Sequence, residues 1–447
     1  MNRSSLTSRG PSGPRTPTAW KVLPSEVFLC IYLITVITLS AFPEFVRYST
    51  ATGVVFAMSC IWETTSFSPS VASAGRRLAP LWPFAGFLAV VWLSTFTFPL
   101  GLERAITYSQ VLILLVCTYL TISRSQRTWP LEIGFLVGIL VIWHLGGSEF
   151  SEVRERESQR FAFALGGDED GLNPNSYGLY LALTILFALK FLLVDSPRLR
   201  KSWLWWSRAS LMIIGIIIAA QQIIVVTGSR KAQLMLLFLC GASFLIYTKG
   251  RFNISRIVVG ASAAAFLAYA AFTLLAGTAH FSRLENLVEM IRYGDTSDGS
   301  AMDRSYLVER GIELWKASPL IGHGNDSFTY ISGFGTYSHS NPVELMANLG
   351  ILGLVLYYGV HYKGIFRAVR LMKLRRSYAR CIGIWFVVAM ICFIGLFDLF
   401  AVSYYDKAIA IFLGAALAVI YSTRINHFRP DVKKSVSYNA RQDELAR

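Results

Sequence analysis

Charge is what this 447-residue chain has least of. Asp, Glu, Lys and Arg make up only 15% of it, where a soluble domain carries about 25%. With 54% hydrophobic residues and a mean hydropathy of +0.48, that deficit excludes a string of soluble domains. Cysteine is also scarce. All six (Cys30, Cys60, Cys117, Cys240, Cys381, Cys392) fall inside apolar runs, and none has the spacing of a zinc site or a disulfide framework. They read as small core or lipid-facing residues. No internal repeat is evident, and no low-complexity segment apart from the tails. Acidic residues number 27 against 42 basic ones. A net charge of +15 would suit a nucleic-acid partner, but its placement in alternate short loops follows the positive-inside rule and points to membrane lipid instead.

What the chain has is a series of apolar runs of roughly 17 to 25 residues, each long enough to cross a bilayer. They predict an all-α, polytopic membrane protein of about twelve spans, near 26–46, 51–67, 80–99, 106–122, 130–147, 172–194, 205–226, 231–247, 254–277, 341–360, 380–400 and 406–422. The organisation follows: a basic tail over 1–25, a bundle over 26–277, one large polar loop over 278–338, a second bundle over 339–423 and a basic tail over 424–447. An N-terminal signal peptide is rejected, because losing the first span would invert every later loop against the charge rule. Arg76, Arg124, Arg198, Lys249 and the cluster Lys363 to Arg380 then lie inside. The large loop lies outside.

That loop ends at Tyr337-Ser338-His339-Ser340-Asn341-Pro342-Val343-Glu344, where an apolar run begins. Asn341 as N-cap, Pro342 in the first turn and Glu344 as a capping-box acid predict a helix start. His339 stands just before it, at a helix N-terminus that favours anions. A neutral imidazole there suits a general base; the bland alternative is an interfacial histidine bonded to its loop. Arg230 and Lys231 follow an outer turn, at the depth of a lipid phosphate, where they hold a diphosphate or simply anchor the span. Arg304 and Arg310 fall on an amphipathic helix predicted over 303–317, with Tyr306, Leu307, Gly311, Leu314 and Trp315 toward one side. Arg304 is a second candidate phosphate clamp. Arg310 is a further substrate contact or a solvated charge paired with Glu309 or Glu313. Asn173 and Asn175 open the sixth span as turn residues or sugar contacts. Asp168 and Asp170 have the form of a metal-binding pair, and His280 and His323 lack a third ligand, so no zinc site is expected.

These pieces occur in a known order. His339-Ser340, nine residues, then Gly350-Ile351-Leu352-Gly353 resembles the H-[NSQ]-x9-G-x-x-G signature of the bacterial O-antigen ligase and polymerase superfamily. Ser318 to Gly324 resembles its "hPl.G.G" turn, Arg304 with Leu307 to Trp315 its "R-x-x-l…w" helix, Gly228-Ser229-Arg230 its "gSR" turn, and Asn173-Pro174-Asn175 its "PN" segment. The resemblance implies a C-type glycosyltransferase fold in the bacterial inner membrane, with its site on the periplasmic side. It implies inverting transfer of a glycan from undecaprenyl diphosphate to a lipid-linked glycan (polymerase) or to lipid A-core (ligase), with no metal and no cofactor. His339 would be the base, Arg230 and Arg304 the diphosphate-binding cations, and Lys231, Arg310, Asn173, Asn175 and Ser340 further substrate contacts. Ser340 departs from the commoner Asn, and Lys231 directly after Arg230 leaves open which cation meets phosphate. Two competing readings are a lipid-linked-glycan transporter and a metal-dependent transferase using Asp168 and Asp170. Against the transporter, only Glu63 and Asp398 look intramembrane.

Overall fold

A computed structural model of the chain describes residues 22–39, 46–67, 78–145, 174–195, 203–225, 230–248, 299–374, 377–399, 402 and 404–423. The described residues are helical, with no strand among them. In chain order they form α1 (Pro24–Leu39), α2 (Val46–Phe67), α3 (Trp82–Ser94), α4 (Leu102–Ser125), α5 (Trp129–Leu145), α6 (Pro174–Leu189), α7 (Trp203–Val225), α8 (Arg230–Tyr247), α9 (Gly299–Ala317), α10 (Ser327–Ile331), α11 (Asn341–Met372), α12 (Ser377–Met390) and α13 (Lys407–Ser422). Wider π-helical turns, Lys190–Asp195 and Ile391–Asp398, extend α6 and α12.

Five helices are long and apolar enough to cross a membrane: Pro99–Ser125, Ser176–Asp195, Trp205–Ile224, Asn341–Met372 and Ser377–Gly395. Five shorter apolar helices accompany them. The expected ninth span, 254–277, and the first part of the expected loop lie outside the described residues.

The bundle is held by close helix pairs. α13 packs on α4, α1 on α5 and α2, α11 on α12 and α3, and α6 on α7. Gly134 and Gly138 of α5 meet Leu33 and Ile37 of α1, and a Cβ on either would crowd those side chains. Small residues four apart let two helices approach where lipid supplies no hydrophobic drive.

Polar residues collect at the two ends. At the end expected to face the cytoplasm, the buried Glu63 accepts from Ser25 N–H (2.8 Å) and Oγ (2.7 Å) and pairs with Arg124 at 3.1 Å. Lys190 pairs with Asp195 at 2.6 Å and donates to Thr128, while Arg208 pairs with Glu132. Glu63 is therefore part of an end clasp. The opposite end carries the turns around residues 95–101, the segment 318–340 and the start of α13.

Candidate active site

The site is built on a helix that breaks. α11 was expected to run unbroken from 341, but Gly350 has φ 64° and ψ −166°, a region open essentially to glycine alone. The strand of chain before α11 fills the gap. Ile351 N–H donates to Pro319 O (2.9 Å) and Leu352 N–H to Leu320 O (3.2 Å). In return, Ala347 O accepts from His323 N–H (3.0 Å) and Asn348 O from Gly324 N–H (2.9 Å). The break thus leaves these backbone groups partnered, as hydrocarbon surroundings require. A Cβ on Gly350 would strike the Leu320 backbone, and one on Gly322 the Asn348 backbone. The glycines of the two sequence motifs are therefore two sides of one contact. His323 has a structural place here: its Nε2 lies 2.8 Å from Leu314 O at the end of α9.

Above the break, the short helical piece 341–349 ends in the Ser338-His339-Ser340 turn. The helix start differs by one residue from expectation. Ser340 is the N-cap, with no side-chain cap bond, and Asn341 is already helical. Glu344 does not close a capping box on the cap residue. It reaches back further, accepting Ser338 N–H at 2.7 Å, with Ser338 Oγ at 3.0 Å. Ser338 Oγ also lies 2.9 Å from Ser340 O and receives Ser340 N–H at 3.3 Å. Asn341 is turned inward instead, donating to Tyr358 Oη (2.9 Å) and accepting Tyr404 N–H (3.2 Å), while Tyr358 donates to Asp398 at 2.8 Å.

The anchored turn forces His339 into the left-handed region, φ 57°. Such a conformation is uncommon outside glycine and costs about 1–2 kcal/mol. Ser338 and Ser340 are buried on either side, and His339 is half-buried with its ring 4.3 Å from that of Tyr337. Burial, then Arg304, then Lys231 hold its pKa down at about 4. The imidazole is neutral at physiological pH.

Two segments far away in sequence bring cations within electrostatic reach of His339. Arg304 comes from the first turns of α9, which docks on α11 through Leu307, Gly311 and Leu314; Gly311 packs on Val343 and Phe328. Tyr306, expected on that face, is exposed. Lys231 comes from the N-terminus of α8. Arg230 is the first residue of that helix, and its side chain lies outside the described residues, as does that of Asn175 at the start of α6. Asn173, Asp168, Asp170 and His280 lie outside them altogether. Arg310 pairs with Glu313 at 2.8 Å on the exposed side of α9, as a solvated helix charge does. Ser340, expected as a substrate contact, is buried in the turn and bonded to Ser338 Oγ. Among the described residues, no group of three His, Cys, Asp or Glu side chains could hold a metal.

Sequence reading passed over Arg104. It stands in the first turn of α4, pairs with Asp326 at 3.5 Å, and lies 4.3 Å over the ring of Tyr405. Tyr405, Tyr404 and Glu344 all lie within its electrostatic reach. Nothing in Gly101-Leu102-Glu103-Arg104 marks it; only the in–out alternation places it at the level of His339.

A family model described as O-Antigen ligase matches residues 216–358, a stretch that holds Lys231, Arg304, His339 and the break at Gly350. No curated protein matches the chain. Over that stretch the chain is similar to the O-antigen ligase family, and its long apolar helices fit a membrane protein.

Proposed function

We propose that this protein is an inverting, metal-independent glycosyltransferase acting at the periplasmic face of the bacterial inner membrane. The observation that carries the reading is a neutral imidazole on a rigid left-handed turn, within the field of Arg304 and Lys231. A ring nitrogen of His339 accepts the proton of the acceptor hydroxyl as that oxygen bonds to the anomeric carbon. The bond from that carbon to the diphosphate of the carrier lipid breaks, and its electron pair stays on the phosphate oxygen. Arg304, Lys231 and Arg230 stabilise the charge that builds there, which is how fixed cations lower such a barrier. A neutral base is needed at the start, and burial beside cations keeps His339 neutral.

For the acceptor we take a second carrier-lipid-linked glycan, the polymerase reaction, from the form of the Asn173–Gly178 and Gly228–Ala232 segments. Delivery to lipid A-core, the ligase reaction, is the second reading, and the description of the matching family model favours it. A deletion strain separates them. Single repeat units capped on lipid A-core mean a missing polymerase; long chains held on the carrier lipid mean a missing ligase. For the chemistry itself, His339→Ala should abolish transfer in detergent while the protein stays monodisperse and binds donor. Retention of most turnover by that variant would refute the base.

A further inference from the structure

Asn341 and Tyr358 stand 17 residues apart on one helix, yet Asn341 Nδ2 donates to Tyr358 Oη at 2.9 Å. An unbroken helix would hold their Cα atoms about 25 Å apart. Even fully extended, the two side chains with the bond between them cover only about half of that. The piece 341–349 is therefore folded back toward the arm 351–372, with Gly350 as the elbow. Gly353 shows the same sharp bend. A Cβ on it would overlap the Cβ of Leu349, one turn earlier, where an ordinary helix keeps such atoms about 5–6 Å apart. The arm 351–372 is by itself about 33 Å long, enough to cross the hydrocarbon core. The short piece is thus released from spanning, and His339 stands two residues before it.

Three buried side chains hold the elbow shut. Tyr358 Oη donates in turn to Asp398 at 2.8 Å, and Asn341 Nδ2 lies 3.5 Å from the same carboxylate oxygen. Asn341 Oδ1 accepts Tyr404 N–H at 3.2 Å. Asn341 and Asp398 are 0% exposed and Tyr358 is 6% exposed, so substrate reaches none of them. Asp398 is the last residue of the π-helical turns that extend α12, and such turns recur at functional sites. A polar network buried this deeply makes one arrangement rigid when its members are matched. This one ties the first residue of α11 to the spanning arm and to a neighbouring helix.

We propose that Asn341, Tyr358 and Asp398 are positioning residues: by closing the elbow they fix where His339 stands relative to Arg304 of α9 and Lys231 of α8. The effect on a reaction rests on the glycosyltransferase reading above; the clasp itself does not. Glu344 shapes the turn locally through Ser338, whereas the clasp sets the place of the whole turn. Opening the elbow carries the imidazole away from burial and from both cations, the three causes that hold its pKa at about 4. Tyr337, whose ring lies against that of His339, belongs to the same turn and moves with it.

The test uses the full chain in nanodiscs. Tyr358→Phe removes one oxygen and no packing. It should lower kcat roughly 10- to 100-fold through a misplaced base, with KM for donor and acceptor unchanged. Asn341→Ala should do the same, and the double variant should lose no more than the worse single one, because the two residues act as a unit. Fold losses that multiply in the double variant, a rise in either KM, or full turnover by Tyr358→Phe would overturn the assignment. A second measurement needs no turnover. Diethyl pyrocarbonate acylates the neutral imidazole, so its rate at His339, followed by mass spectrometry against pH, reads the titration of that ring. The midpoint should lie near 4 in the parent and move upward, toward 6.5, in Tyr358→Phe. An unmoved midpoint would overturn the positioning role. A moved midpoint in a preparation that transfers no glycan would uphold the clasp and defeat the glycosyltransferase reading.

Discussion

Replacing Arg304 by Gln should change the pH profile of transfer in a direction fixed by the site. His339 titrates at about 4 rather than 6.5, from burial first, Arg304 second and Lys231 third. A group whose pKa is lowered is unprotonated, and able to act as a base, at every pH above that value. The acidic limb of kcat/KM, which reports the free enzyme, should therefore lie near 4 in the parent. Because Arg304 is the second of three causes, it accounts for less than half of the fall. Its loss should move the limb upward by about one pH unit at most. The limb of kcat should lie higher than that of kcat/KM in the parent, since a bound diphosphate offsets the cations and restores basicity to the ring. In Arg304→Gln the gap between the two limbs should narrow, and donor KM should rise. The assay is initial-rate glycan transfer by purified protein across the acid range, with donor varied at each pH. A parent kcat/KM limb near 6.5, or a downward movement in Arg304→Gln, would refute the electrostatic argument.

Gly350→Ala should destabilise the protein by about 1–3 kcal/mol from its backbone conformation alone, with a further loss from the Cβ against the Leu320 backbone. Gly359→Ala, on the same helix and facing open space, should change little; equal midpoints in denaturant for the two variants would argue against the clamp. Glu344→Ala removes the acceptor of the buried Ser338 N–H and should lower kcat by roughly 100-fold through a misplaced His339, with donor KM unchanged. Glu344→Gln keeps an acceptor and should retain more of the rate, so single-turnover kinetics of the pair separate positioning from charge.

The helical class was legible because apolar runs and alternating basic loops are local signals. The chain has helices at eleven of the twelve expected positions among its described residues, and 254–277 lies outside them. Gly350 and Gly353 were visible as a spacing, but the break was not. Leu345 to Tyr358 continues the apolar pattern through Gly350, and only the incoming Pro319 and Leu320 carbonyls make the interruption affordable. Glu344 was visible as a helix-start acid, yet its partner is Ser338, because the turn winds once more before the helix begins. Long-range pairs were out of reach for a simpler reason. Tyr358 and Asp398, or Glu63 and Arg124, are 40 and 61 residues apart, and no local pattern encodes such a meeting. Arg104 shares that fate, since its role is set by Asp326 and Tyr405 arriving from elsewhere in the chain.

The two ends of the bundle show why charge placement, more than charge content, distinguishes support from chemistry. At one end, Glu63 meets Arg124, Glu132 meets Arg208 and Asp195 meets Lys190. Each of these three acids has a basic partner, which is the condition for keeping ions out of water at tolerable cost, while the buried Glu26 accepts from Leu23 N–H and Trp129 Nε1–H instead. At the other end, Glu344 spends its carboxylate on the Ser338 backbone rather than on a neighbouring cation. The field left at His339 is positive, enough together with burial to keep a proton off the ring at pH values where a free histidine would begin to take one. A positive field beside a neutral base has one natural complement, an anion that leaves as the base takes its proton. On the proposed function, the same field that weakens the free base would be offset by a bound diphosphate, so donor binding and the basicity of His339 would rise together.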